Sequence, residues 1–293
     1  MASQHMTWVH CISSIMGVTL NIGVLVVSYK RIKTSQNNSD RFITSLACAD
    51  MMFCLGMMIT SIIKITDWNA PYQILLLYWN ISQGVSFSSS LLHILAISMD
   101  RLVAVVYPMK YRNNYLRPKF LSLTIVMFWL TSVFIASTQY WLPIFVIDIV
   151  VSIIIFIAFI SATIIYYIIG RTLMKRSAKV RMNASQMRKQ ERSNNQTIIL
   201  CTLLTSTFFI CNIPFVCANL YYAIKNTNWS RPTANAVYLL MTFNCIADAL
   251  FYSFATKMIN FVKRRKKQSS MMLTSEDNTR KMILEKIILE ETC

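Results

Sequence analysis

Asp50, Asp248 and the adjacent pair Asp100–Arg101 fall within or at the ends of long apolar stretches. A charge in such surroundings is expensive, so a functional role is the first hypothesis for each. Asp50 closes Leu46-Ala-Cys-Ala-Asp50, and Asp248 lies in Asn244-Cys-Ile-Ala-Asp248-Ala-Leu-Phe-Tyr252. Two carboxylates at similar depth repel unless one is protonated or a cation sits between them. Asn21, Ser90 and Asn244 could add neutral polar groups at that depth, making a buried polar cluster. The plainer reading of Asp50 is a protonated, hydrogen-bonded helix contact. Asp100–Arg101 could be a reversible ion pair, or an ordinary solvated helix end.

The elements that must hold these residues are helices in a bilayer. The chain has 293 residues, 55% hydrophobic and 14% charged, with mean hydropathy +0.47, whereas soluble domains carry about 25% charged residues. No Lys or Arg interrupts Thr7–Tyr29, Phe42–Ile63, Asn69–Met99, Phe120–Gly170, Ser193–Ile224 or Pro232–Thr256. One crossing needs roughly 20 apolar residues. The stretch 120–170 is therefore two helices, broken near Gln139–Pro143, where Trp141 and Pro143 suit an interfacial turn. The spans predicted are 8–29, 42–64, 74–107, 119–139, 144–171, 195–224 and 232–256. The fold class is an all-α integral membrane protein, a seven-transmembrane helix bundle.

The net charge of +17 is not a nucleic-acid footprint, because the basic residues crowd alternate gaps between spans. Of 29 Lys and Arg, all but Lys64, Lys225 and Arg231 fall on one side. The positive-inside rule puts that side in the cytosol, with the N-terminus outside and the C-terminus inside. The first residues lack a basic n-region, so the first helix is expected to act as an uncleaved signal-anchor. Seven of the eight cysteines fall in expected helices and none in an outer loop, so no extracellular disulfide is expected. The sequons at Asn37, Asn183 and Asn195 lie on the cytosolic side, out of reach of glycosylation, and Asn80 lies close to the membrane. Asn228-Trp-Ser230 is in a short outer loop.

Taken in order, short motifs resemble those of the rhodopsin-like (class A) G-protein-coupled receptors, from Gly17 to about Lys267. Asn21 with Val24 resembles the helix-one Asn-x-x-Val. Leu46-Ala-Cys-Ala-Asp50 is similar to the helix-two Leu-Ala-x-Ala-Asp. Asp100-Arg101-Leu102, followed by Pro108-Met109-x-Tyr111, resembles the Asp-Arg-Tyr motif and its loop. Trp129 fits the helix-four tryptophan, and Tyr166-x-x-Ile169-Gly170-Arg171 the inner end of helix five. Phe208-x-x-Cys211-Asn212-x-Pro214 is similar to Phe-x-x-Cys-Trp-x-Pro. Asn244 to Tyr252 resembles the helix-seven motif, and the basic segment 257–267 resembles the family's short cytosolic amphipathic helix eight. On that likeness 1–267 is the receptor domain and 268–293 a cytosolic tail.

The resemblance implies roles. Arg101 would pair with Asp100 at rest and face a heterotrimeric G protein when active. Tyr166 and Tyr252 would swing toward Arg101, and Met109 would plug an apolar slot on the G protein. Asp50, Ser90, Asn244 and Asp248 would line a pocket for an allosteric sodium ion, with no other cofactor implied. Gln83, Phe87, Phe215, Asn219, Tyr238 and Thr242 would face the outer ligand pocket, with Asp148 above and Asn212 beneath. The partners implied are an extracellular small-molecule or peptide ligand, a G protein and membrane lipid, at the plasma membrane.

Four departures are legible: Leu102 for the motif tyrosine, Ala249 for the helix-seven proline, Asn212 for the tryptophan, and no cysteine near Leu76. The missing cysteine, the short loop between helices four and five and the lack of a proline near Ala158 are most like the melanocortin–cannabinoid–adenosine branch. Gln83 stands where the family's amine receptors carry an acid, and no lysine stands near Thr242 as in an opsin. Asn212 and Ala249 also motivate an alternative, a constitutively active or decoy receptor without normal agonist triggering. An enzyme or transporter is disfavoured: three histidines form no metal pattern, and no internal repeat is visible.

Overall fold

The computed structural model describes residues 2–34, 38–66, 72–112, 118–180, 185–225, 227 and 229–254. The expected helix over 257–267, the tail over 268–293 and the sequons at Asn37, Asn183 and Asn228 lie outside the described residues. Seven of the described helices are long and apolar enough to cross a bilayer. They are α1 (Ala2–Thr34), α2 (Asn38–Thr66), α3 (Tyr72–Val106), α4 (Pro118–Ser137), α5 (Ile144–Val180), α6 (Ser185–Lys225) and α7 (Arg231–Phe254). The protein is an all-α, seven-helix membrane bundle.

Its surface inverts that of a soluble domain. Phe134, Phe156 and Ile210 point outward, each more than 60% exposed, while Asn21, His93, Asn212, Asn219 and Thr242 are buried. Lipid offers no hydrogen bonds, so polar side chains must find partners inside the bundle or among one another. α3 is central and packs against α2, α4, α5 and α6. Its buried serines, Ser82, Ser86, Ser88, Ser89, Ser90 and Ser98, are small enough to admit close neighbours.

Between α4 and α5 the chain turns in a few residues. A single 3-10 turn, Thr138–Tyr140, ends with the Trp141 and Leu142 amides both donating to the Thr138 carbonyl. Pro143, which has no N–H to give, then precedes α5. α5 and α6 run well past the apolar stretches 144–171 and 195–224. Apolarity marks the membrane, but the Lys-, Arg- and Gln-rich continuations are good helix formers and extend the rods beyond it.

α1 and α2 meet through a glycine. A Cβ at Gly17 would lie 2.5 Å from the Cys54 sulfur. Gly17→Ala should therefore lower the melting temperature of the purified protein in nanodiscs, overpacking of this kind costing about 1–3 kcal/mol. Adding Cys54→Ala removes the obstructing sulfur and should restore most of the loss. A double variant as unstable as the single one would place the strain elsewhere.

Candidate functional site

Polar and aromatic residues gather at three depths. Toward the ends of α3, α5, α6 and α7 opposite Arg101, a cavity of about 510 Å3 is lined by Gln83 and Phe87 from α3, Asp148 from α5, Phe215 and Asn219 from α6, and Tyr238 from α7. Six of the eight residues expected to face a ligand are thus brought together. Thr242 is not among them: it is fully buried and its hydroxyl donates to the Tyr238 carbonyl at 2.8 Å. Asn212 lies deeper, outside this cavity, and donates to the Phe208 carbonyl at 2.7 Å.

The cavity also holds residues the motifs did not single out: Trp79, Gln139, Tyr222 and Trp229. Trp79 is one helical turn before Gln83, a spacing that could have found it. Gln139 and Trp229 come from connections between helices, where periodicity carries no signal. The aromatic lining is continuous. Phe87 and Phe215 have ring centroids 5.3 Å apart, Phe215 and Trp229 5.7 Å, and Trp229 and Tyr238 6.2 Å. Gln83 donates to the Phe53 carbonyl at 3.4 Å, while its amide oxygen has no partner. The Gln139 and Asn219 amide nitrogens are likewise buried without one. Three amide ends lacking partners in one aromatic cavity can be satisfied by a guest bearing donors and acceptors.

Beneath lies a polar cluster. The Ser90 hydroxyl donates to Asp50 at 3.1 Å, Asn244 donates to Asp248 at 3.4 Å, and Asn21 donates to the Cys245 carbonyl at 3.2 Å. A small void of about 20 Å3 is bounded by Asp50, Ser90, Asn212 and Asn244. Asp248, expected in the sodium set, does not line it, whereas Asn212, expected in the ligand set, does. Rotation about the axis of α6 decides this: the Asn212 side chain faces the polar layer rather than the cavity above. The Asn212, Asn244 and Asp248 Oδ1 atoms are buried without hydrogen-bond partners.

At the far end of α3, Arg101 and Asp100 are buried and paired. Arg101 Nη2 also donates to the Tyr111 hydroxyl at 2.9 Å, and that hydroxyl donates to Asp100 at 3.3 Å. Tyr111 belongs to a single helical turn, Pro108–Arg112, directly after α3. It closes a three-membered lock. Met109, on the same turn, is 72% exposed. Tyr166 stands one turn of α3 away from Arg101, bonded to Thr205 at 3.0 Å and receiving the Ser98 hydroxyl at 3.4 Å. Tyr252 is buried, with the Arg31 guanidinium 5.7 Å from its ring centroid, and Arg31 pairs with Asp40 at 3.4 Å. Pro214 lies inside the continuous α6 between these levels, and proline inside a helix is a standard source of a kink.

The arrangement, a cavity at one end and a buried ion-pair lock at the other, invites comparison with known proteins. Residues 20–145 match the family model described as the 7 transmembrane receptor (rhodopsin family). The first half of the chain is like that family. The match takes in Asn21, Asp50, Ser90, Asp100, Arg101, Tyr111 and Trp129, and stops at the start of α5. A curated relative, 5-hydroxytryptamine receptor 2B of Dichotomyctere fluviatilis, is 34% identical over 107 residues, 36% of this chain and 22% of that protein. The matched stretch therefore spans about a fifth of that relative's length. The seven apolar helices make the chain a multi-pass membrane protein, and these likenesses tie part of it to rhodopsin-family sequences. They give no support to the melanocortin–cannabinoid–adenosine branch.

Proposed function

We propose that this chain is a cell-surface receptor that binds an extracellular ligand in the α3–α5–α6–α7 cavity and activates heterotrimeric G proteins through Arg101. The single observation that carries the reading is the pairing of an amide- and aromatic-lined cavity with a buried Asp100–Arg101–Tyr111 lock at the opposite end of α3. A two-state element responds to a ligand only as far as the ligand binds its states differently. Movement of α6 about Pro214 would change the cavity wall at Phe215 and Asn219, and at the same time the Thr205 contact with Tyr166. That couples the two ends. The buried lock favours a receptor quiet at rest over the constitutively active alternative.

The void bounded by Asp50, Ser90, Asn212 and Asn244 suits a small hard cation, since each of these four can offer it an oxygen, and the Cys245 thiol is the one softer polar group on its wall. Sodium held there would supply positive charge that offsets the buried carboxylates. Asp50 would be its anionic ligand, and the neutral oxygens of Ser90, Asn212 and Asn244 would complete the shell. The ligand is a small molecule or peptide segment with aromatic and hydrogen-bonding groups, and Asp148 is the cavity's carboxylate. Met109 is the apolar plug offered to the G protein.

The test is nucleotide exchange by a panel of purified G proteins with the chain in nanodiscs, before and after a ligand screen. An N-terminal tag read by antibody on intact cells normalises surface protein and checks that this terminus is outside. Exchange on at least one G protein is expected. A chain that accelerates none, with or without ligand, is not a G-protein receptor, and a tag reached only after permeabilisation reverses the orientation.

A further inference from the structure

A second recess opens beside the ligand cavity, between α1, α2 and α7, with a volume of about 190 Å3. It shares Trp79 and Tyr238 with the larger cavity, and those two rings, edge to face with centroids 5.1 Å apart, form the partition. Its chemistry differs from its neighbour's. Where the large cavity holds Asp148, no carboxylate among the described residues lines the recess, and it carries Lys64 instead. Lys64 is one of three basic residues on its side of the bundle, and no described carboxylate pairs with it.

His10 faces the recess from α1. It is 6% exposed, and its Nδ1 atom is buried with no hydrogen-bond partner. A buried polar atom left without a partner is costly, and an imidazole nitrogen can donate to a guest in the tautomer that protonates it. Ser61 and Asn235 line the same recess and add donors of their own. A lone ammonium at the mouth, an imidazole inside and neutral donors between them form a set that satisfies oxygen anions.

We infer that the recess is an anion subsite, taking a carboxylate or phosphate group on Lys64 and His10. It deepens the ligand-cavity reading: with Asp148 in one chamber and Lys64 in the other, the two accept a ligand of mixed charge lying across the Trp79–Tyr238 partition. For that consequence it rests on the receptor reading, but the anion site stands on its own residues. The same oxygen anion could arrive on a soluble ligand or on a lipid headgroup.

Saturation-transfer NMR with acetate and with methyl phosphate, on the full chain in phosphatidylcholine nanodiscs, tests it without any G protein. Binding is expected for the unmodified chain. Lys64→Gln and His10→Phe should each weaken it about tenfold or more, the loss expected for one charge-assisted hydrogen bond. Arg231→Gln removes an equal charge outside the recess and should leave the signal unchanged. Repeating the measurement with phosphatidylserine in the disc separates the sources. Suppression of the acetate signal makes a headgroup the resident anion, and no suppression makes it a soluble ligand; both support the site. The inference is overturned if the unmodified chain gives no signal, if both recess variants bind normally, or if Arg231→Gln loses as much as they do. Anion binding without exchange activity would retain the site and sink the receptor reading; exchange without anion binding would do the reverse.

Discussion

Asp100→Asn should raise basal nucleotide exchange about tenfold, while Arg101→Ala should nearly abolish stimulated exchange at equal surface expression. The sign follows from what each side chain touches. Asp100 accepts from Arg101 and from Tyr111, so neutralising it removes the anion that holds the guanidinium against α3. Hydrogen bonds to charged groups are worth about 1.5–3 kcal/mol, enough to move a two-state equilibrium tenfold or more. Arg101→Ala also frees the lock, but removes the guanidinium proposed to meet the G protein, so basal and stimulated exchange should fall together. Tyr111→Phe keeps the ring and loses only its hydroxyl bonds, about 0.5–1.5 kcal/mol, so its basal exchange should lie between the unmodified chain and Asp100→Asn. Exchange rates for all three variants, normalised to surface protein, are the measurement. If every variant behaves like the unmodified chain, Arg101 is a helix-end charge and the switch is wrong.

Tyr111 illustrates what the sequence can and cannot disclose. Asp100 and Arg101 stand out because charge at the end of a long apolar run is rare, and rarity needs no three-dimensional knowledge. Tyr111 is one of 13 tyrosines, in a basic loop, and becomes part of the lock only because Pro108–Arg112 folds back as a helical turn. The same division runs through the molecule. The seven helices were legible because lipid demands runs of apolar residues, and the short break before Pro143 because two crossings cannot fit otherwise. The true helix ends were not, since α5 and α6 continue on helix propensity after apolarity stops. Asn212 and Thr242 show the limit most clearly. Both sit on helices that wall the large cavity, yet a fraction of a turn sends Asn212 to the polar layer and Thr242 into the helix packing. Trp229 and Gln139 reach the cavity from connections whose course depends on how neighbouring helices are already packed.

The second large effect concerns the polar layer. Sodium chloride should raise the melting temperature of the unmodified chain relative to choline chloride at equal ionic strength, and Asp50→Asn should remove that difference. A ligand at ten times its dissociation constant stabilises the state it binds by about 1.4 kcal/mol, which a thermal melt resolves. Choline cannot enter a void of about 20 Å3, so the comparison isolates a small cation from general screening. Asn212→Ala should weaken the sodium response, because Asn212 lines the void and its Oδ1 is without a partner. Asp248→Asn should weaken it less, because Asp248 stands outside the void and is tied to Asn244. That order differs from the one the helix-seven motif suggests, where Asp248 is a ligand and Asn212 is not. Equal melts in the two salts for the unmodified chain would mean that the layer is held by protons and hydrogen bonds alone. A sodium response that vanishes with Asp248→Asn but survives Asn212→Ala would move the ion toward α7 and away from this void.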